Sequence, residues 1–248
     1  MHFYNGLVTL GMVPVKAATG KNWRDQLIYA KYYLGMNQRV RRDGLLWDVP
    51  EDFPEGIASL LLHEPKASAF LLSQFKPGQV FVDVGANVGA YSIRAAAKGM
   101  KVFAFEPNPE NLKLLNRNAE INHISLDPLP YALGPNEGQA HLTLNGGLSK
   151  ISSTEGILVE MRTLDSFSLH AVDLVKLDVE GYELEVLQGA KRTLKEHHPT
   201  LMIEMHDWAG AKKEADLFAL LNETGYDFEY LDKYSQGRHM SAVYPQRS

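Results

Sequence analysis

The order of elements predicts a doubly wound α/β fold with a mainly parallel sheet and an antiparallel strand pair at its end. Three observations carry that prediction. Short apolar runs alternate with stretches of helical periodicity from Val80 to Thr224, and right-handed crossovers of this kind build parallel sheets. The first run, Val80 to Val84, enters a turn holding Gly85 and Gly89 ahead of a helical stretch; strand, glycine turn and helix present a nucleotide-sized ligand at the carboxyl edge of such a sheet. The last two runs, Tyr226–Leu231 and His239–Tyr244, have no helix between them and so pair antiparallel.

The chain of 248 residues is long enough for one α/β domain with an elaborated end or a small cap. Hydrophobic content of 45% and charged content of 22% are those of an ordinary globular protein. There is no cysteine, which excludes disulfides and thiolate metal sites and suits a cytoplasmic, reducing compartment. No apolar run reaches the ~18 residues that read as a membrane span. The first residues lack a basic leader and are interrupted by Gly6, Gly11 and Pro14, so no signal peptide is expected. Charge is uneven. Residues 1–42 hold Lys16, Lys21, Arg24, Lys31, Arg39, Arg41 and Arg42 against Asp25 alone, a balance of +6 that leaves −11 for residues 43–248. A solvated basic helix that packs on, or forms a homodimer against, the acidic remainder is the commoner cause of such asymmetry; peripheral contact with a membrane surface or polyanion is the other.

Taken in order, Trp23, Leu27, Ala30 and Leu34 recur at helical spacing behind Asn22, predicting a capped amphipathic helix within an N-terminal extension over residues 1–55. Arg41 to Pro54 reads as an extended segment or hairpin. Ile57 to Phe75 is helical with a break at His63-Glu64-Pro65, since proline disfavours helix in the residue before it. Strand Val80–Val84 is followed by a helix from Gly89 to Lys98, strand Lys101–Phe105, and a helix to Asn122 capped by Asn108 with Pro109 in its first turn. A third strand spans Leu129–Leu133. Glu137–Leu144 and Gly156–Arg162 alternate like antiparallel strands around a Gly-Gly-Leu-Ser loop, an insertion over about residues 134–163 of a main domain running from 56 to 248. Strand Asp173–Asp178, a helix Tyr182–Lys195, strand Thr200–Met205 and a helix Ala211–Thr224 stopped by Gly225 complete the rhythm.

The chemistry converges on the carboxyl edge of the predicted sheet. A dinucleotide fingerprint needs a glycine at the middle of its turn so that backbone can approach a pyrophosphate; this chain has Asn87, and Asp83 precedes the turn. A cationic nucleoside without phosphates, such as S-adenosylmethionine, fits these residues better than NAD does. Glu106 ends the second strand where an acid accepts ribose hydroxyls. In Val175-Lys176-Leu-Asp178-Val-Glu180, Lys176, Asp178 and Glu180 share one face, although a central parallel strand should be almost wholly apolar. Met202, Glu204 and His206 share a face of the next strand, so a Lys176–Glu204 pair is expected across the two. Asp178, His206 and Glu180 remain at the strand tips as candidates for a general base. Asp178, Glu204 and His206 are also metal-ligating types, but their spacing is no recognised ligand motif, and no metal is expected.

Asp83-Val-Gly-Ala-Asn-Val-Gly89, Phe105-Glu-Pro-Asn-Pro109, Ala132-Leu-Gly134, Lys176-Leu-Asp-Val-Glu-Gly181 with Glu183, Leu187 and Gly189-Ala190, and Ile203-Glu204 together resemble the FkbM-like methyltransferases over roughly residues 60–206. Residues 1–55 match nothing recognisable. The resemblance implies a Rossmann-like sheet of seven strands, S-adenosylmethionine as cofactor, and methyl transfer to a hydroxyl of a sugar, glycan or natural product. It implies that Asp83, Gly85, Asn87 and Gly89 surround the methionine part. Glu106, with Asn108 beside it, would hold the ribose, and Ala132-Leu133-Gly134 would flank the adenine. Asp178 would lie near the methyl and Glu64 would close over the cofactor. Nucleic acid is not an expected partner. Two rival readings, a nicotinamide-dependent oxidoreductase and a non-catalytic nucleotide-binding module, are disfavoured by Asn87 and by the intact acidic positions respectively.

Overall fold

The computed structural model describes residues 39–48, 65–145, 148–234 and 237–245. The expected N-terminal helix at Trp23, the first half of the Ile57–Phe75 helix and Glu64 lie outside these residues. Description begins with a hairpin, β1 (Arg39–Arg42) and β2 (Leu45–Asp48), paired across Asp43-Gly44. Both turn residues have positive φ, 53° and 81°, which a two-residue hairpin turn requires and Asp and Gly tolerate. Helix α1 (Pro65–Ser73) precedes β3 (Val80–Val84), α2 (Ala90–Ala97), β4 (Lys101–Phe105) and α3 (Pro109–Ile121), where the pattern placed them. Asn108 caps α3 by accepting the Glu110 N–H at 3.0 Å. The hairpin docks on α3 through two asparagines: Asn118 accepts the Asp48 N–H at 2.7 Å, and Asn122 accepts the Leu46 N–H at 2.8 Å.

The next strand departs from expectation. Leu129 makes a single parallel bridge to Phe105, and only Ala132–Leu133 (β5) is extended strand, paired with a different sheet. Pro128 and Pro130 flank Leu129 and have no N–H to give a ladder. The main sheet of the described residues therefore has six strands and one bridge rather than seven strands. The insertion is a sheet of its own: β6 (Gly138–Asn145), β7 (Leu148–Ser152) and β8 (Ile157–Arg162) join β5 in the order β5-β8-β6-β7. Leu148-Ser149, expected in a loop, opens strand β7.

Strand β9 (Leu174–Leu177) leads to α4 (Glu183–Gln188) and α5 (Lys191–His197), two helices where one was expected. They break at Gly189, where a Cβ would come within 2.0 Å of the Gly134 carbonyl oxygen. Asp165 caps the second helix, accepting the N–H groups of Arg192 and Thr193 at 2.9 Å each. Then come β10 (Thr200–His206), α6 (Ala211–Glu223), β11 (Asp227–Tyr234) and β12 (Gly237–Val243). The main sheet runs β11-β12-β10-β9-β3-β4. Strands β4, β3, β9 and β10 are parallel, and β12 and β11 close one edge antiparallel as expected. No helix among the described residues is long and apolar enough to cross a membrane.

The two faces of this sheet differ. Val82, Val84, Val175, Leu177, Leu201 and Ile203 alternate onto one face and pack in one apolar cluster. On the other face Phe81, Leu174 and Met202 pack with Leu71 of α1 and Tyr91 of α2. Two residues further along the same strands, that face turns polar: Asp83, Lys176 and Glu204 are all buried, with His206 at the tip and His239 opposite Glu204 on β12. Each buried aliphatic side chain contributes about 1.5–3 kcal/mol, whereas a buried charge without a partner costs several. The polar end of this face is stable only if its charges satisfy one another.

Candidate functional site

The glycine turn after β3 is held from three sides. Gly85, at φ +74°, lies so close to the end of β9 that a Cβ would sit 1.9 Å from the Asp178 carbonyl oxygen. Gly89, at φ +86°, would place one 2.9 Å from Leu115 of α3. Asn87 also takes a left-handed conformation, φ 51°, which asparagine tolerates better than most side chains. Its N–H donates to Glu106 Oε2 at 2.8 Å, and the Asn108 N–H donates to Glu106 Oε1 at 2.9 Å. Glu106 is 4% exposed. Burial pushes its carboxyl up to about 7, partly offset by the N–H groups of Asn108 and Asn87. Asn108 reaches further, donating from Nδ2 to Ser149 Oγ of β7 at 2.9 Å.

Four side chains expected to meet the cofactor, Asp83, Glu106, Asn108 and Leu133, are buried. Asp83 is 1% exposed; Ser92 Oγ donates to its Oδ2 at 2.6 Å, and Lys176 Nζ lies 3.4 Å from Oδ1. It supports the turn from beneath and offers a ligand no surface. Leu133 packs in the apolar cluster with Phe105 and Leu164.

The charged face of β9 and β10 is an interlocked set of ion pairs. Lys176 Nζ donates to the Gly85 carbonyl at 3.0 Å and lies 3.4 Å from both Asp83 and Asp178. Its ion-pair partners are thus on β3 and at the end of its own strand, not Glu204, because Asp83 stands directly opposite it in the parallel register. Burial opposes the ammonium, but Asp178 and Asp83 outweigh it and keep Lys176 charged. Burial opposes the Asp178 carboxylate too, and Lys176, His206 and His239 hold it below its usual range. After β9 the chain turns out through Glu180 and Gly181, φ 56° and 92°. A left-handed glutamate is strained by roughly 1 kcal/mol, and that strain aims its side chain back at the cluster.

His206 sits at the centre. Its Nδ1 donates to Glu183 Oε1 at 3.4 Å, while Nε2 lies 3.5 Å from Glu180 Oε2 and 3.6 Å from Glu204 Oε1. Burial disfavours the imidazolium, but Glu183, Asp178, Glu204 and Glu180 raise it to about 9. Burial and Asp178 together push Glu180 up to about 7, with His206 and Lys150 opposing. The structure therefore brings Asp178, Glu180 and His206 together, as expected.

It adds residues that the sequence did not single out. His239 Nε2 lies 3.4 Å from Glu204 Oε2 and its Nδ1 is 2.6 Å from Asp232, so β11 and β12 extend the network. Trp208, 46% exposed, stacks near His206 with ring centroids 4.3 Å apart and donates to the Glu180 carbonyl at 3.4 Å. Lys150 of β7 lies 3.7 Å over the Trp208 ring and 3.8 Å from Glu180. Strand β7 thus touches the Glu106 end through Ser149 and the Glu180 end through Lys150. Beside His206, toward α6, opens a cavity of about 240 Å³ walled by Glu183, Asp207, Lys213 and Arg238.

A family model described as the methyltransferase FkbM domain matches residues 83–228, more than half of the chain. The chain belongs to the FkbM methyltransferase family. The FkbM match begins at Asp83 and takes in the glycine turn, Glu106 and the charged strands, but ends before β12. Hexuronic acid methyltransferase AglP of Haloferax volcanii is 30% identical over 161 residues, which are 62% of this chain and 65% of AglP. Methyltransferase sdnD of Sordaria araneosa is 27% identical over 190 residues, 59% of this chain and 73% of that protein. A tRNA (guanine(37)-N(1))-methyltransferase of Leishmania major is 41% identical over 59 residues, 24% of this chain and 9% of that enzyme. Among solved structures, methyltransferase FkbM of Methylobacillus flagellatus KT superposes with a TM-score of 0.53 at 19% identity, covering 89% of this chain and 60% of that one. It shares the fold.

Proposed function

We propose that this FkbM-family chain transfers a methyl group from S-adenosylmethionine to a hydroxyl oxygen of a sugar, glycan or natural product, in the cytoplasm. One observation carries the reading: Glu106, the glycine turn and the Asp178–Glu180–His206 cluster lie at the carboxyl ends of β4, β3, β9 and β10, along one edge of one sheet. The residues fit the cofactor. The Asn87 N–H, which a dinucleotide fold would turn toward a pyrophosphate, is given to Glu106. The side chain facing outward beside the turn is Asp178, 31% exposed, which suits a cation. Glu106 accepts the Asn87 and Asn108 N–H groups and, at 3.5 Å, Asn111 Nδ2, and keeps a lone pair for a ribose hydroxyl.

When bound, the cofactor supplies a methyl already activated on a sulfonium, so the C–O bond forms as the C–S bond breaks and the electron pair returns to sulfur. The chain must align the hydroxyl, exclude water and take the hydroxyl proton. Of the three candidate bases, Asp178 is tied to Lys176 and His206 to Glu183, while Glu180 Oε2 is buried with no hydrogen-bond donor. Glu180 is the base we assign. Residues 1–65 and the 134–163 insertion are the parts from which an acceptor pocket would be built; among the described residues, Lys150 and Trp208 stand beside Glu180. That AglP is named for a hexuronic acid supports a sugar acceptor.

The test is incubation with methyl-labelled cofactor and cell extract, with mass identification of what gains the label. A methyl ether on a saccharide or small natural product is expected. Label in RNA, or no label despite saturable cofactor binding, would overturn the assignment.

A further inference from the structure

We infer that Asp178, Glu204 and His206 form a binding site for one divalent cation of the Mn²⁺ type, against the expectation from their spacing in the sequence. One ligating atom from each lies within 4.8 Å of the corresponding atoms of the other two; bonds of about 2.1 Å hold two ligands at most about 4.2 Å apart, so the side chains would draw in by a few tenths of an ångström to close on a single ion. Two carboxylates and an imidazole are a donor set for a divalent first-row cation, which would keep positions open for oxygen ligands. Glu204 and His206 are buried and Asp178 is partly exposed, so the open positions would lie on the Asp178 side.

Three further features favour a cation over a self-contained ion-pair knot. The first is the support behind each ligand. His206 binds through Nε2 only if its other nitrogen is fixed, and Nδ1 donates to Glu183, a buried carboxylate itself held by the Gly181 N–H at 2.9 Å. A metal-binding histidine backed by a carboxylate is the usual arrangement. Glu204 Oε1 is turned toward His206 because Oε2 faces His239, which Asp232 orients in turn. Lys176 fixes Asp178.

The second feature is charge. Asp178, Glu180, Glu183 and Glu204 crowd one imidazole; facing them are Lys176, shared between Asp178 and Asp83, Lys150 at 3.8 Å from Glu180, and His239 beside Glu204. The third is Glu180 Oε2, a buried carboxylate oxygen with no hydrogen-bond donor, 3.5 Å from the same Nε2. An ion at this point would neutralise the excess of carboxylates and give the histidine nitrogen a partner other than acids.

The site's existence does not depend on the methyl-transfer reading; its use does. A cation here would take the acceptor's hydroxyl oxygen and lower its pKa, next to Glu180 as the base.

The test is Mn²⁺ titration of the purified full chain, followed by electron paramagnetic resonance of free Mn²⁺. One equivalent is expected to bind, with pulsed-resonance modulation from one imidazole nitrogen. That measurement needs only the wild-type protein. Glu204→Gln and His206→Gln are expected to abolish binding, the latter with loss of the nitrogen modulation, while retained S-adenosylmethionine binding shows that they fold. Glu183→Gln, which touches no ion, is expected to weaken binding by about 10- to 100-fold. No stoichiometric Mn²⁺ uptake by the wild type, or uptake unchanged in both ligand variants, overturns the inference. Mn²⁺ uptake without any methyl transfer would leave the site standing and sink the proposed function instead.

Discussion

The pH dependence of cofactor affinity follows from Glu106. Its carboxyl has an ordinary value of 4.5 and stands at about 7 in the folded chain because it is buried. A folded value above the unfolded one means that the native state holds its proton more tightly. The folded state is therefore penalised as pH rises through 4.5 toward 7, by about 3 kcal/mol once the group is fully ionised. In the proposed cofactor site the ribose hydroxyls would donate to the ionised form, so binding would have to expel that proton at lower pH. With a value of about 7, the ionised fraction falls from roughly three quarters at about pH 7.5 to roughly a tenth at about pH 6. Affinity should weaken about eightfold over that interval. Glu106→Gln cannot titrate and loses one acceptor, so its affinity should be about 10- to 100-fold lower and flat across the same range. Calorimetric titration with S-adenosylhomocysteine in buffers of different ionisation enthalpy reads both the affinity and the proton count. A flat profile for the wild type refutes the coupling. So does an equal slope in Glu106→Gln, which would place the titrating group elsewhere.

Three substitutions test the frame of the site. Gly85→Ala drives a Cβ into the Asp178 carbonyl; it should cost at least ~3 kcal/mol and lower the thermal midpoint by about 6–12 °C, whereas a midpoint close to wild type would show that the turn is not held as described. Lys176→Met strands the buried Asp83 beside Asp178 and should cost about 3–5 kcal/mol in urea unfolding; a neutral result would mean that Lys176 is not what offsets their burial. Asp165→Ala removes the cap of α5 and should cost about 1–2 kcal/mol with no change in cofactor affinity; loss of binding would refute a purely structural role.

The parallel core was legible because its signals are local. Val80–Val84 and Lys101–Phe105 are bounded by glycine and proline, and Asn108-Pro109 marks a helix start by its own chemistry. What escaped were consequences of contact between distant segments. The Tyr182–Lys195 helix breaks at Gly189, where a side chain would strike the Gly134 carbonyl, and no periodicity in the helix announces that contact. Leu129–Leu133 is apolar enough for a strand, and the two prolines flanking Leu129 were the signal that its ladder would fail. At the site, Asp178, Glu180, Glu204 and His206 could be found because charges are anomalous on parallel strands. Lys176 was paired with Glu204 by adjacency of strands, but register decides such pairs, and register brought Asp83 opposite Lys176. His239 and Asp232 stand on an antiparallel edge where polar residues are ordinary, so nothing in the sequence set them apart.

That last omission bears on how the site is built. Apart from Glu180, the charged residues of the cluster are each held by a buried partner, in most cases from another segment: Asp178 by Lys176, His206 by Glu183, and Glu204 by His239 with Asp232 behind it. The partners cannot substitute for one another. Lys176 arrives along β9, Glu183 opens α4, and His239 crosses from β12 at the register position opposite Glu204. The antiparallel pair β11–β12 does more than close the edge of the sheet, because it supplies the base of the Asp232–His239–Glu204 chain. The family match ends at residue 228, and His239 lies beyond it. The orientation of Glu204, and with it the carboxylate face that His206 meets, is therefore set by a part of the chain outside the matched domain.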